Sequence, residues 1–387
     1  MRRLGRFFLF YIAKSVLMWY YFLEVRIMNP KIQCTFTVEN FRLKDDTVVL
    51  HDVRKEPFEI FGFYDVKNRN DYIRVPNEVA EKCQAAPGEQ SVYTQYKKTT
   101  GGRIRFKTDS DCLAIRVKLP KLTPHPIMTP NMNYGFDFYI KKDGKEVLGG
   151  LFNPPFDVVD EYDGCVSLGD NSEKEITINF PILNDVSSVE IGLRQGASLD
   201  RHTPYKIQKP VVFYGSSITH GMCASRPGLN YENILSRKFD MNYINLGFGG
   251  ACKAEQAMVD YIAGLEMSAF VCDYDHNAPD PEYLLKTHKN VYETVRTAQP
   301  DLPIILVTKP DFRFENFDEA RRRAIIMDTY SYGIKNGDRN LYFVDGAAFF
   351  AGTERCDCTM DNCHPNDLGF SLMAKNIGDT LEYVLKI

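Results

Sequence analysis

The pattern of apolar residues changes near residue 200, and this change constrains the fold more than any other feature of the chain. Before it, apolar and polar residues alternate in short runs: Arg103-Ile104-Arg105-Phe106, Ala114-Ile115-Arg116-Val117-Lys118-Leu119, Glu175-Ile176-Thr177-Ile178-Asn179-Phe180 and Val189-Glu190-Ile191-Gly192-Leu193. Alternation with a period of two puts one set of side chains on each face of a strand, so these runs read as half-buried β-strands. Cys34-Thr35-Phe36-Thr37-Val38 has the same form. The run from Tyr134 to Ile140 leads into Lys142-Asp143-Gly144-Lys145, whose Asp-Gly pair marks a hairpin. Many short strands with turn signals between them predict an all-β, jelly-roll-like sandwich domain over residues 31–197.

After the change the apolar runs are continuous: Val211-Val212-Phe213-Tyr214, Ala269-Phe270-Val271-Cys272, Ile304-Ile305-Leu306-Val307 and Leu341-Tyr342-Phe343-Val344, with Tyr243-Ile244-Asn245-Leu246 as a shorter version. A strand covered on both faces has no polar side, so this is the form of a buried parallel strand. The segments between them have helical spacing, as at Ala320, Ala324, Met327 and Ile334. Strand–helix alternation predicts a doubly wound α/β domain over 209–387. Residues 198–208, inside the polar stretch Gln195–Pro210 with its Gly and two prolines, read as a linker.

Charge excludes one large class of partner. The 387 residues carry 47 basic and 51 acidic side chains, a net of −4, which provides no electrostatic reason to bind nucleic acid. The Arg321-Arg322-Arg323 run has helical surroundings and reads as a solvated helix face. Ten cysteines without regular spacing read as free thiols, and a cytoplasmic location is the expectation. Residues 1–30 form a separate apolar N-terminal segment. Three arginines precede the apolar stretch Phe7–Leu23, the layout of a signal or an anchor. The stretch is short for a span, carries Lys14 in its middle and lacks a small-residue cleavage site. A start at Met28 is a third reading. Membrane contact is expected only if this segment is retained, and nothing in the sequence indicates an oligomeric state.

Open α/β sheets bind ligands beyond the carboxyl ends of their strands, and four such ends carry polar motifs. They are Gly215-Ser216-Ser217-Ile218-Thr219-His220-Gly221, Asn245-Leu246-Gly247-Phe248-Gly249-Gly250, Asp273-Tyr274-Asp275-His276-Asn277-Ala278-Pro279 and Asp361-Asn362-Cys363-His364-Pro365. Other motif readings fit less well. Cys252 occupies the third-glycine position of a dinucleotide loop, and there is no Walker A sequence. Thr219 stands where the G-x-S-x-G elbow needs glycine. Cys356, Cys358, Cys363 and His364 are too tightly spaced for a structural zinc site.

Taken together, the four blocks resemble the SGNH (GDSL-type) hydrolase family over about residues 209–387: Ser in the first, Gly in the second, Asn in the third and Asp-x-x-His in the last. The β-rich half is similar to the sandwich domain that precedes the catalytic domain in some bacterial members. The resemblance implies a flavodoxin-like catalytic domain and puts Ser217 at the nucleophile, Gly250 and Asn277 at the second- and third-block positions, and Asp361 with His364 at the terminal dyad. The family usually has Asp before its serine; here that residue is Ser216.

The chemistry is coherent on its own terms. A serine hydroxyl needs a base, which His364 can be, and Asp361 on the same tight turn can hold the imidazole. The Ser217 and Gly250 backbone N–H groups and the Asn277 amide can meet a developing oxyanion. Asp273, Asp275 and His276 are candidate substrate-binding residues, while His220 and His276 also read as supporting or surface groups. Plain structural roles remain open: a helix cap for Ser217, a tight turn for Gly250, a turn for Asn277 and a capping turn for Asp361 with His364. The expectation is a serine esterase using an acyl-enzyme with no cofactor or metal, acting on a small-molecule or glycan ester, with O-deacetylation of carbohydrates foremost. The alternatives are a lipid or lysophospholipid acyl hydrolase, and a carbohydrate-binding protein that has lost activity, which the departure at Ser216 would favour.

Overall fold

A computed structural model describes residues 38–310 and 316–387. The apolar segment 1–30 and residues Cys34 to Thr37 lie outside the described residues, and Val38 opens a helical turn, Val38–Phe41.

In the N-terminal half the alternating runs are strands: β1 (Val48–Asp52), β2 (Glu59–Phe61), β3 (Arg103–Thr108), β4 (Cys112–Lys118), β5 (Phe136–Lys142), β6 (Lys145–Phe152), β7 (Glu161–Ser167), β8 (Lys174–Asn179), β9 (Ser188–Arg194) and β10 (Leu199–Asp200). They form two antiparallel sheets, β1-β9-β4-β7 and β10-β3-β8-β5-β6, with β2 beside β3. The chain passes repeatedly from one sheet to the other, a jelly-roll-like sandwich. Alternation explains the packing: Ile104 and Phe106 of β3 meet Leu113, Ile115 and Val117 of β4 in one buried cluster. Each such side chain contributes about 1.5–3 kcal/mol. The β5–β6 hairpin turns through Asp143 and Gly144, both at positive φ (51° and 76°), as a two-residue turn matched to strand twist requires.

Between β2 and β3 the chain leaves the sandwich. This excursion holds α1 (Asn77–Lys82) and α2 (Val92–Gln95), and its Ile73, Val75, Val92 and Tyr96 are buried in the core of the other half. Two guanidinium groups also cross the seam. Arg74, fully buried, donates to the carbonyls of Asn245 (3.2 Å) and Gly247 (2.6 Å). Arg103 donates to Asn242 Oδ1 (2.7 Å) and to the Tyr243 carbonyl (3.0 Å). The 198–208 segment is packed rather than a free linker. Leu199–Asp200 pairs with β3, His202 and Tyr205 are buried, and Arg105 covers the Tyr205 ring at 3.6 Å.

The C-terminal half holds β11 (Ile207–Gly215), β12 (Met241–Gly247), β13 (Ala269–Asp273), β14 (Ile304–Val307) and β15 (Leu341–Val344). All pairs are parallel, in the order β12-β11-β13-β14-β15. Renumbered within this half the order is 2-1-3-4-5, the flavodoxin-like arrangement. Helices α4 (Tyr231–Phe239) and α8 (Asp367–Leu385) cover the face that carries Val211 and Phe213. Helices α5 (Gln256–Ala263), α6 (Pro281–Ala298) and α7 (Phe317–Lys335) cover the face of Val212 and Tyr214. Burial on both faces is why these strands read as unbroken apolar runs.

Helix α7 forms where the spacing predicts a helix, but it buries a different face. Ile325, Ile326, Thr329 and Gly333 point inward, while Met327 and Ile334 are exposed. A Cβ on Gly333 would lie 2.4 Å from Leu341, so the helix approaches β15 on its smallest residue. The described cysteines are free, and no helix among the described residues is long and apolar enough to cross a membrane.

Candidate active site

The four motif-bearing loops converge at the carboxyl end of the parallel sheet. β11 ends at Gly215, and Ser217 opens the single turn α3 (Ser217–His220). Ser216 caps this turn: its Oγ accepts the Ile218 N–H at 3.2 Å. The position before the serine therefore does a helix-capping task that a short hydroxyl performs well. The end of β12 runs against the same turn. A Cβ on Gly247 would lie 2.2 Å from the His220 nitrogen, so only glycine fits there.

Ser217 Oγ lies 2.9 Å from His364 Nε2. His364 closes a tight turn just before α8. Asp361 Oδ1 accepts the N–H groups of Cys363 (3.1 Å) and His364 (2.8 Å), and Oδ2 lies 2.8 Å from His364 Nδ1. Asn362 takes the left-handed conformation that the turn needs, with φ of 64°. A carboxylate only accepts, so Nδ1 carries the ring proton and Nε2 presents its lone pair to Ser217. Partial burial opposes the charge on Asp361. The His364 backbone N–H and then its ring outweigh that effect and hold the carboxyl below the usual range.

Three donors share the cleft with the hydroxyl, the N–H groups of Ser217 and Gly250 and the Asn277 amide. Gly250 has φ of +68°, and an added Cβ would make only ordinary contact with Gln90 at 3.6 Å. The positive φ, rather than crowding, is what asks for glycine. Asn277 Oδ1 accepts the Cys252 N–H at 3.2 Å, which leaves its amide nitrogen for another partner. Among the described residues, neither that nitrogen nor the N–H of Ser217 or Gly250 has an acceptor. The Asn277 loop is clamped by Arg322, which donates to the carbonyls of Asp275 (2.6 Å) and Ala278 (2.8 Å). This corrects the reading of the arginine run as a solvated face: the Arg322 side chain is only 11% exposed.

Asp273 and Asp275 do not line the cleft, which corrects their assignment to substrate binding. Asp273 is buried behind the Ser217 turn and accepts from the Thr219 hydroxyl at 3.2 Å. Burial, and then the charge of Asp275, push its pKa well above the ordinary carboxylate value. Asp275 accepts the Lys309 N–H at 3.1 Å and is pushed up to about 6 by burial, against the pull of Lys309 and Arg322. His276 does line the cleft. Burial, then the charge of Lys309, depress its pKa and favour the neutral ring. His220 is buried at the cleft floor, with Nε2 2.9 Å from the Ile182 carbonyl oxygen. Cys358 is also buried, and among the described residues no group of three or more His, Cys, Asp and Glu is arranged to hold a metal ion.

The cleft has a volume of about 660 Å³. One side presents Ser217, Gly249, Gly250, Asn277 and His364; the facing wall comes from the N-terminal half, with Gln90, Gln95, Lys98, Thr123, His125 and Leu183.

Residues 208–382 match the GDSL-like lipase/acylhydrolase family, and residues 48–199 match a domain described as the N-terminus of SGNH-hydrolase-type esterases. The chain belongs to the GDSL-type (SGNH) hydrolase family. As such it is a carboxylic ester hydrolase. No curated protein sequence matches it. A Bacteroides ovatus protein named only for its likeness to GDSL-type lipases is 28% identical, with a TM-score of 0.77 over 88% of this chain and 98% of its own. The salicylyl-acyltransferase SsfX3 of a tetracycline biosynthetic pathway, 18% identical with a TM-score of 0.71 over 88% and 98%, shares the fold. So does an acetyl xylan esterase of the rumen bacterium Butyrivibrio proteoclasticus, 13% identical with a TM-score of 0.54 over 88% and 99%.

The GDSL-type motifs mark only one wall of this cleft. Nothing in the sequence marks the other, because Gln90, Lys98 and His125 lie in loops without a recognisable spacing. His125 is the least expected of them. Its Nδ1 is buried without a partner, and burial, then the charge of nearby His364, lower its pKa.

Proposed function

We propose that this hydrolase is a serine esterase that removes acetyl groups from carbohydrates through an acyl-enzyme on Ser217. The observation that carries the reading is the relay from Ser217 through His364 to Asp361, set beside three donors without acceptors. His364 Nε2 takes the hydroxyl proton as Ser217 Oγ bonds to the ester carbonyl carbon. The carbonyl oxygen becomes an oxyanion and meets the N–H groups of Ser217 and Gly250 and the Asn277 amide. The ester C–O bond then breaks, and the sugar hydroxyl leaves with the proton from His364. Water, deprotonated by the same ring, attacks the acyl-enzyme and releases acetate and the free serine.

The facing wall supports a sugar as the alcohol. Gln90, Thr94, Lys98, Thr123 and His125 offer hydrogen-bonding groups, whereas the larger apolar side chains lining the cleft among the described residues are Leu183 and Met222. A long acyl chain needs a continuous apolar trough, so this wall speaks against the lipid hydrolase. The intact relay speaks against a binding protein without activity. Carbohydrate esterases are among the proteins that share this fold.

The test is turnover of p-nitrophenyl acetate, butyrate and decanoate and of acetylated xylo- and manno-oligosaccharides, by the protein and by Ser217→Ala. Acetate-selective turnover, reduced about 10⁴-fold or more in the variant, is expected. Turnover that survives the substitution removes Ser217 as nucleophile; decanoate preference with no acetate release from sugars removes the substrate class.

A further inference from the structure

We propose that Gln95 is a positioning residue for the oxyanion site, acting through the peptide between Gly249 and Gly250; the proposal rests on Gly250 being an oxyanion donor. Gln95 Nε2 donates to the Gly249 carbonyl oxygen at 2.5 Å. That oxygen and the Gly250 N–H belong to one peptide unit, and it is trans. In a planar trans peptide the C=O and N–H point in opposite directions. A donor fixed on the oxygen therefore fixes the direction in which the N–H faces. It also draws electron density from the nitrogen and makes the N–H a stronger donor, as hydrogen bonds in a chain do.

This peptide needs an outside support. It joins two glycines, so neither flanking side chain restricts its rotation. Gln95 is suited to hold it. The Gly249 oxygen only accepts, so the group facing it is the Gln95 nitrogen. The same nitrogen donates to Gln90 Oε1 at 2.9 Å, and Gln95 as a residue is 7% exposed. The backbone is fixed as well. Gln95 ends α2, which a reciprocal Ser91–Thr94 capping box opens, and its carbonyl accepts from Arg74 Nη2 at 3.1 Å. The oxyanion donor of the α/β half is thus aimed by a side chain from the half that carries no nucleophile.

The test is Gln95→Met, which keeps the length of the side chain and removes the donor, compared with Gln95→Glu, which keeps the shape and presents an acceptor. For Met, kcat on p-nitrophenyl acetate should fall about 10-fold with KM within about twofold, since a donor is misaimed rather than deleted. Affinity for a trifluoromethyl ketone, whose Ser217 adduct carries the oxyanion, should fall by the same factor. Glu should lose at least as much as Met, an order that a space-filling role would reverse. A Met variant within twofold of wild type in kcat, or one whose loss lies in KM with ketone affinity unchanged, overturns the proposal. Should Gln95→Met fail to fold, Gln90→Leu strips the amide of its second bond and is read by the same two criteria. Turnover that survives Ser217→Ala would instead overturn the underlying esterase reading and the proposal with it.

Discussion

Asp137 and Arg226 meet at 2.7 Å across the seam between the two halves, with the carboxylate fully buried. Asp137 Oδ2 also accepts the Gly228 N–H at 2.8 Å, and Oδ1 accepts Asn179 Nδ2 at 2.7 Å. Both oxygens are satisfied, so truncation strands three donors at once. Asp137→Ala should cost about 3–5 kcal/mol of stability, read from the urea midpoint by far-ultraviolet circular dichroism. A cost under about 1 kcal/mol would mean that water reaches the pair.

Asp361→Asn keeps the turn but reverses a polarity. An amide nitrogen turned to His364 Nδ1 donates where the carboxylate accepts, and the ring proton moves to Nε2, which then has no lone pair for Ser217. A loss of about 10⁴ in kcat is expected, with KM little changed. Steady-state kinetics on p-nitrophenyl acetate decide it, and a loss under tenfold would show that His364 holds its tautomer without Asp361.

Asn277 serves two partners, and two substitutions separate them. Asn277→Ala removes the free donor and should lower kcat by about 10²–10³. Asn277→Asp keeps an acceptor for the Cys252 N–H but faces the oxyanion with negative charge. It should be at least as slow as the alanine variant while melting closer to wild type. The reverse order in kcat would place the importance of Asn277 in its loop rather than in the reaction.

Asp275 makes stability depend on pH. Burial pushes its pKa in the fold up to about 6, above the 3.8 of an ordinary aspartate, so the folded state holds the proton more tightly than the unfolded chain. Stability on this account is full below pH 4, declines through pH 4–6 and stays lower by about 3 kcal/mol above it. Asp275→Asn removes the titration. Relative to wild type the variant should gain stability between pH 4 and pH 8, measured by urea unfolding at both values. A difference that does not change with pH would show that the carboxyl ionises in the fold as easily as in water.

The parallel sheet was legible because burial on both faces leaves unbroken apolar runs such as Val211–Tyr214, and the sandwich because one wet face leaves alternation, as in Ala114–Leu119. Ser217, Gly250, Asn277, Asp361 and His364 could be gathered because strand ends of such a sheet meet at one edge. Asp273 and Asp275 were misplaced because a carboxylate next to a motif reads the same whether it faces solvent or core. Arg322 was misplaced because its acceptors, the carbonyls of Asp275 and Ala278, lie over 40 positions away and are backbone groups with no sequence signature. Gln95 was invisible for the same reason: its acceptor is the Gly249 carbonyl, 154 positions along the chain.

The guanidinium groups of Arg74 and Arg103 lie on the sandwich side of the seam, and three of their acceptors are carbonyls along β12. Prising the halves apart would therefore break both arginines' bonds across the seam and open to water the apolar surface that Ile73, Val75, Val92 and Tyr96 bury in the other half. Heat should melt the chain in one calorimetric transition, not two. For anyone recombining such enzymes, the sandwich is no detachable accessory: a foreign one would have to bring both arginines to the same sockets before the catalytic half could close around its own sheet.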